Sequence, residues 1–490
     1  MCHILWIPAK YSSFGDGSSL QGGASSLPSL QEKEAREPRW PALSDNTFGA
    51  ARVAARAVRV LRDHRALAGI FLFALTLRVA YNLTVARRYV PLHDAAQYVQ
   101  LARNLLQFGC YCFNGPGYPT TVRPPVYPLF LAGIFAPFGI HPLLGRLALS
   151  IVGAGTCVLV SVLAHDLFGR AAGITAGLIA ATYPQLFIWD AWLYSESLAI
   201  FLYAASCLAV MRVLRRPTAM RWVLVGALIG VTALTRPNGI YALLAVVAAV
   251  ALAVLTRKMR LRYAVASVGL LLVGTAAAMA PWTVRNYVVT GGAFVPISTG
   301  GGIVVAGSYN DDVYYGPRFL GEWVNPLDLQ HVDAADRELL QSFPRGFACA
   351  GACEVARDQV DTRVAVKWAT SHLDLMPQLL LMRTRQFWPP GSGPVEGGMP
   401  VARWYADTYP TIIIALALLG LFGLLCRHRD VRVFVFCFFG VAVIAGGLIF
   451  YGSPRMRAPL EPFMVVLASG IVTELGIRLA AYVHRRRLGA

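Results

Sequence analysis

The chain has 490 residues, 56% of them hydrophobic and 14% charged, with a formal net charge of +18. The apolar residues fall in runs of about 20, the length of a bilayer-spanning helix, which fits a membrane protein rather than a soluble core. The positive charge is almost wholly arginine in short segments between those runs, as in cytoplasmic loops, with none of the basic and aromatic interleaving of a nucleic-acid face.

In chain order, residues 1–48 are rich in Ser, Gly, Pro and mixed charge and read as a disordered cytoplasmic tail. They contain no continuous apolar segment of the kind found in a cleaved signal peptide. Arg52, Arg56, Arg59, Arg62 and Arg65 then predict that this end stays in the cytoplasm. The expected spans are Ala66–Ala86, Pro142–Ala164, Ala171–Ile188, Leu193–Leu214, Trp222–Leu234, Ile240–Leu255, Tyr263–Ala280, Tyr409–Cys426, Val433–Phe450 and Pro459–Ala480, about ten by the length rule. The fold class is therefore an all-α polytopic membrane protein, with interfacial helices in the first external loop and a long external loop before the last three spans. The expected divisions are an N-terminal transmembrane catalytic module (49–282) that includes the first external loop (87–141), an external loop region (283–407), C-terminal transmembrane helices (408–482) and a basic cytoplasmic tail (483–490).

The first loop holds an amphipathic helix beginning at His93-Asp94, with Ala95, Tyr98, Leu101, Ala102, Leu105 and Leu106 at helical spacing and Gly109 at its end. Arg123-Pro124-Pro125 follows and leads into the apolar segment Pro125–Phe138, which is short and framed by prolines. Charge parity decides whether that segment crosses. If it does not, Arg212/Arg215/Arg216/Arg221, Arg257/Lys258/Arg260/Arg262, Arg427/Arg429/Arg432 and Arg485/Arg486/Arg487 all lie on the side of the N-terminal arginines; if it does, all four clusters lie outside. The positive-inside rule favours the non-crossing arrangement. The Asp94 loop, the hinge around Asp190, Glu196 and the loop bearing Arg455 and Arg457 then share the external face. An acid, an interfacial helix and an arginine at a membrane surface suggest a site for something polar attached to a lipid.

Glu196 stands in an apolar run, where an ionisable residue is a functional candidate by default; the bland alternative is a buried ion pair with Arg236 or another helix-end arginine. Arg78, and Glu474 with Arg478, read as structural, the last two being an i,i+4 pair. Cys157, Cys207, Cys426 and Cys437 read as small core residues. Cys349 and Cys353 are spaced either for a disulfide or for two free thiols. No cysteine–histidine spacing resembles a zinc site.

These residues resemble a family. HDAAQYVQLARNLL followed by RPPVYPLFLAG, Ser195-Glu196-Ser197-Leu198, Thr235-Arg236-Pro237-Asn238-Gly239, PWTVRNYVVTGGAFVPISTGGG and PRMRAPLEP are similar, in order and placement, to the GT-C membrane glycosyltransferases. Within these, the similarity is to the bacterial protein-mannosyltransferase-like branch that includes the lipid A aminoarabinose transferases. The resemblance implies transfer of a sugar from a polyprenyl-phosphate donor to a glycan, lipid or protein acceptor on the external face of the plasma membrane. It places Asp94 as the first-loop acid that activates or organises the acceptor, with Asp190 and Glu196 as candidates for a second catalytic acid. His93, Tyr98, Arg123, Tyr127, Arg236, Arg285, Arg455 and Arg457 are the candidate substrate-binding residues, with arginines gripping the donor phosphate. The first loop has no Asp-x-Asp pair, so a divalent metal is left open as a cofactor. The chemistry is in keeping with this, since a carboxylate suits a base and guanidinium groups bind phosphate bidentately. Direct displacement would invert the anomeric carbon, while a retaining route needs a second carboxylate as nucleophile. The alternative is a polytopic transporter or flippase for a lipid-linked or anionic substrate.

Overall fold

The computed structural model describes residues 46–316, 320–344, 348–389, 403–427 and 430–488. The tail 1–48, expected to be disordered, lies outside these except for its last three residues. The chain divides into two units, Met1–Ala66 and Leu67–Ala490. The first is helical where it is described, from Asn46 on; everything below concerns the second.

Among the described residues, regular structure is helical throughout, apart from one isolated bridge between Cys112 and Pro119. In chain order the helices begin with α1 (Asn46–Leu83), α2 (His93–Phe108), α3 (Val126–Phe138), α4 (Pro142–Phe168), α5 (Arg170–Thr182), α6 (Pro184–Ala191), α7 (Glu196–Arg215), α8 (Ala219–Thr235), α9 (Tyr241–Leu255) and α10 (Leu261–Val289). After these come α11 (Gly301–Ala306), α12 (Asp311–Tyr315), α13 (Ala334–Gln341), α14 (Ala352–Ser371) and α15 (Met376–Phe387), and then α16 (Arg403–Arg427), α17 (Val431–Ile449), α18 (Pro454–Arg457) and α19 (Glu461–Leu488).

Eight helices among the described residues are long and apolar enough to cross a membrane, and a ninth span arises if α5 and α6, bent by 46°, count as one. The bend falls at Tyr183-Pro184, where the proline cannot continue the preceding hydrogen-bond ladder. The tenth expected span, Trp222–Leu234, lies in α8, an apolar helix of 17 residues. The protein is thus an integral membrane protein.

Close packing at α8 explains how the tenth element is held. A Cβ on Gly226 would lie 2.0 Å from the Leu271 carbonyl oxygen, and one on Gly274 would lie 2.0 Å from that of Val223. Only glycine lets the α8 and α10 backbones meet so closely, the small-residue contact by which helices associate in lipid. The Thr275 hydroxyl adds a 3.0 Å bond to the Gly226 carbonyl across this contact. Arg236 caps the end of α8 and is positioned by it.

The segment α3 has 13 residues, about 20 Å of helix, and is too short to span. Its non-crossing role follows from connectivity. Asp94 and Glu196 both bond Arg455, so they lie at one end of the bundle. Between them in the chain, α4 runs away from that end and α5 with α6 returns. A crossing α3 would put the two acids at opposite ends. The opposite end is marked by Asp166 of α4, which pairs with Arg212 at 3.1 Å and Arg215 at 3.4 Å on α7.

The long segment after α10 folds on a small core of its own around Val313, Tyr314, Val324, Leu329, Leu340, Val364 and Leu379. Glu354, near the start of α14, ties this segment to the first loop. Its carboxylate accepts from the Thr120 hydroxyl (2.6 Å), the Thr121 backbone N–H (2.6 Å) and the Thr121 hydroxyl (2.7 Å). Cys349 and Cys353, left open above, are joined as a disulfide just ahead of it. Cys157 and Cys207 are buried free thiols, as expected of small core residues.

Candidate active site

The sequence gives α2 an N-terminus without a side-chain cap, because Leu92 precedes it and His93 adopts a left-handed φ of 46°. The Asp94 carboxylate is in the first turn, where the helix dipole favours an anion, and it is left free to reach across the loop. It pairs with Arg123, and its other oxygen accepts from Arg455 Nη2 at 2.6 Å. Arg455 Nε in turn donates to Glu196 Oε1. Arg236 Nη1 faces that same oxygen as an ion pair, without the angle of a hydrogen bond. The result is one continuous alternation, Arg123–Asp94–Arg455–Glu196–Arg236, drawn from α2, the first loop, α18, α7 and the end of α8.

This chain of charges carries one more positive than negative group. Glu196 is sealed, its side chain 1% exposed, whereas Asp94 at 18%, Arg123 at 25% and Arg455 at 27% open toward the surface. Glu196 Oε2 is buried with no hydrogen-bond partner. Burial pushes the Asp94 carboxyl up, but Arg123, Arg455 and Arg236 together outweigh it and hold the group well below the usual carboxylate range. Asp94 is ionised at any physiological pH and, while both guanidinium groups stay in place, is a weak base.

Other expected residues fall around this core. Tyr98 is buried, lies 5.5 Å under the Arg123 guanidinium carbon, is 3.2 Å from the Ser195 hydroxyl and packs edge-on against Tyr127 at 4.8 Å. The Tyr127 hydroxyl is buried without a partner. His93 is exposed beside Asp94.

Three expected residues are not brought to the cluster. Asp190 is buried among the helices, bonded by Arg78 Nε at 2.8 Å and by the Ser197 hydroxyl. Gly153 makes room for that pair, since a Cβ there would lie 2.2 Å from Asp190 Oδ2. Arg457 is fully buried and turned the other way, donating to Glu461 at 2.8 Å and to the Phe387 and Pro389 carbonyls at 2.8 Å each. Arg285 binds the Thr120 carbonyl at 2.6 Å and the Tyr111 carbonyl at 3.1 Å, so it braces the backbone of the first loop.

Two residues that the sequence reading does not single out belong to the site. Gln97 Oε1 accepts from Arg123 Nε at 2.9 Å and Nη2 at 2.7 Å. Its sequence signal was present, one helical turn after Asp94 on the same face. The ring of Tyr194 lies 4.6 Å from the Arg455 guanidinium carbon.

As to a metal, the residues do not fit one. Both acids share their site with three guanidinium groups, and a divalent cation would have to sit among these like charges. Among the described residues, no group of three or more His, Cys, Asp or Glu is placed to hold an ion.

Residues 122–282 match the family described as dolichyl-phosphate-mannose-protein mannosyltransferase. The chain is similar in structure to the apo oligosaccharyltransferase of Archaeoglobus fulgidus, with 15% identity and a TM-score of 0.51, over 87% of this chain and 52% of that one. It is similar to the AglB oligosaccharyltransferase of that organism, in complex with an inhibitory peptide and a dolichol-phosphate, with 13% identity and a TM-score of 0.54, over 88% and 52%. For ArnT from Cupriavidus metallidurans bound to undecaprenyl phosphate, identity is 17% over 82% and 77% of the two chains, and the TM-score of 0.40 is too low to carry an argument. No curated protein sequence matches the chain. The chain thus spans about half the length of the archaeal proteins it resembles, and at these identities the likeness speaks to fold alone. Residues 122–282 thus carry that family's pattern, and over most of its length the chain is similar in fold to the archaeal oligosaccharyltransferases.

Proposed function

We propose that the protein transfers a hexosyl or pentosyl group from a polyprenyl-phosphate-linked donor to a hydroxyl of a lipid, glycan or protein acceptor, at the external face of the plasma membrane. The observation that carries this is the Arg123–Asp94–Arg455–Glu196–Arg236 chain. Its surplus of one positive charge matches the single negative charge of a sugar phosphodiester. Its open end, at Asp94, Arg123 and Arg455, is the part able to receive one. The AglB complex holds a dolichol-phosphate, and the matched family is named for a dolichyl-phosphate donor. Family and fold give the transport alternative no support.

The geometry supports a partner exchange. The donor phosphate takes the forks of Arg455 and Arg123, which are bidentate donors that suit phosphate oxygens. Asp94 loses the two nearest of the three charges that depress its proton affinity, and its basicity rises as the donor seats. It then accepts the proton of the acceptor hydroxyl, whose oxygen attacks the anomeric carbon as the polyprenyl phosphate leaves with the bonding electrons, inverting that carbon. Glu196, sealed and paired with Arg236, holds Arg455 and is not placed to act as a nucleophile. Asp190, Arg285 and Arg457 hold structure. No step runs through a metal. In this reading 49–282 supplies Asp94, Arg123, Glu196 and Arg236, the C-terminal helices supply Arg455, and 283–407 is assigned to the acceptor side.

The test is an assay of the purified full-length chain with a labelled polyprenyl-phosphate sugar. Asp94→Asn is expected to lower kcat by about 10²–10⁴-fold, the range of general base catalysis, with donor binding retained. Turnover within a few-fold of wild type would reject the role of Asp94.

A further inference from the structure

Arg383 sits on α15 in the long external segment, far in sequence from every residue of the site, and is fully buried. Its Nη1 donates to the carbonyls of Leu448 at 3.0 Å and Ile449 at 2.7 Å, and its Nη2 to that of Ser308 at 2.7 Å. Leu448 and Ile449 are the last residues of α17, where helix carbonyls lack intrahelical partners and the dipole favours a cation. Tyr309 stacks under the guanidinium at 4.3 Å, and its hydroxyl donates to the same Ile449 carbonyl. The chain then runs from Ile449 through Gly452, whose N–H donates to the Gly321 carbonyl at 3.1 Å. A Cβ at Gly452 would stand 2.2 Å from the Arg383 carbonyl oxygen, so the two backbones touch. Beyond Arg455, the bonds of Arg457 to the Phe387 and Pro389 carbonyls grip the C-terminal end of α15.

The strand of chain that presents Arg455 is therefore clamped by one helix on both sides. We infer that Arg383 is a positioning residue: it fixes the 450–457 turn so that Arg455 reaches Asp94 and Glu196 together, and through it the external segment sets the geometry of the phosphate-binding end of the site. This rests on the reading of that site given above. The three bonds of Arg383 diverge to two elements, α17 and the Ser308 turn. A lysine ammonium at the same position keeps the charge but, as a point donor, cannot span both. Among the described contacts, α15 reaches the site through this turn, so Arg383 acts on Arg455 by fixing backbone rather than by touching substrate.

Two variants test this in the full-length chain. Arg383→Lys removes the divergent bonds. Gly452→Ala leaves Arg383 and every charged site residue intact and forces the turn away from α15, which keeps the question open to decision should the lysine variant fail to fold. Lys367→Ala, which removes an exposed pair with Asp333 and Asp336 on the same external segment, is the control. The readouts are backbone amide exchange over 450–457 and affinity for a short-chain polyprenyl phosphate in detergent. Both test variants are expected to speed exchange in that turn at least tenfold and to weaken polyprenyl phosphate about tenfold, with the control unchanged in both. Unchanged exchange overturns the positioning role. So does faster exchange with wild-type affinity. If the wild-type chain binds no polyprenyl phosphate, the donor assignment falls, and the exchange readout still decides whether Arg383 holds the turn.

Discussion

Asp94 and Arg455 face one another across 361 residues of sequence, and neither has its partner from its own helix. The neighbouring arginine shows how much this matters. Arg455 is part-exposed among Asp94, Glu196 and Tyr194, while Arg457, two residues on, is sealed against Glu461. Arg455→Lys is expected to weaken donor use about tenfold, because a point charge does not replace a fork between two carboxylates and a phosphate. Arg457→Lys should instead act chiefly on thermal stability, because its guanidinium is sealed against Glu461 and does not face the donor. Steady-state kinetics beside a melting curve separate the two, and a raised donor KM for Arg457→Lys at unchanged stability would contradict this division. Asp190 belongs with Arg457. Arg78→Met leaves a buried carboxylate without its counter-ion and should cost about 3–5 kcal/mol, read as loss of folded protein in detergent melts.

At the scale of elements, α14 joins the long segment after α10 to the first loop through Glu354, and one turn later Asp358 accepts the Gly302 N–H at 2.6 Å. Burial raises the carboxyls of Asp358 and Asp361 to about 6 each, the first eased by Gly302 and the second by Arg357. An acid with a raised folded value binds protons in the native state that the unfolded chain releases. The stability of this segment therefore falls as pH rises from the ordinary carboxylate range to about 6, and is level above it. Asp358→Asn should flatten part of that slope, measured as amide protection over residues 352–371 between pH 4 and pH 7, the window set by the ordinary and raised values. An unaltered slope would mean that Asp358 does not carry it. The same principle of local necessity shows in α8, where Gly226 and the facing Gly274 were recognisable only as small residues until the α10 backbone was seen against them.

For the whole molecule, orientation is the decisive property. The site end of the bundle bears Asp94, Glu196 and Arg455, and the opposite end bears Arg212 and Arg215 with Asp166. A cysteine in place of Lys367, exposed on the long segment after α10, is expected to react with an impermeant thiol reagent applied to intact cells, and one in place of Arg260 is not. Labelling at Arg260 from outside would invert the protein and overturn the proposed placement of the active site on the external face.

What the sequence by itself determined is what depends on local spacing and on count. Apolar runs long enough to span, the amphipathic first-loop helix and the short α3 are properties of contiguous segments, and each is present in the structure. Parity also placed Asp94, Glu196 and Arg455 at one end before any contact was known. What only the tertiary structure decided is which carboxylate meets which guanidinium. Asp190, Glu196, Arg236, Arg285, Arg455 and Arg457 were equally eligible as charged residues near span ends. Their fates diverged because a side chain reaches only several ångströms, and helix rotation and backbone approach decide whether it points into the bundle or toward the opening. Arg78 claims Asp190 inside the space left by Gly153, Glu461 claims Arg457 one helical turn on, and the loop carbonyls claim Arg285. Three arginines remain to face two acids, Asp94 toward the surface and Glu196 sealed beneath it, a surplus of charge that no local pattern encodes because it is the remainder after distant pairings are made.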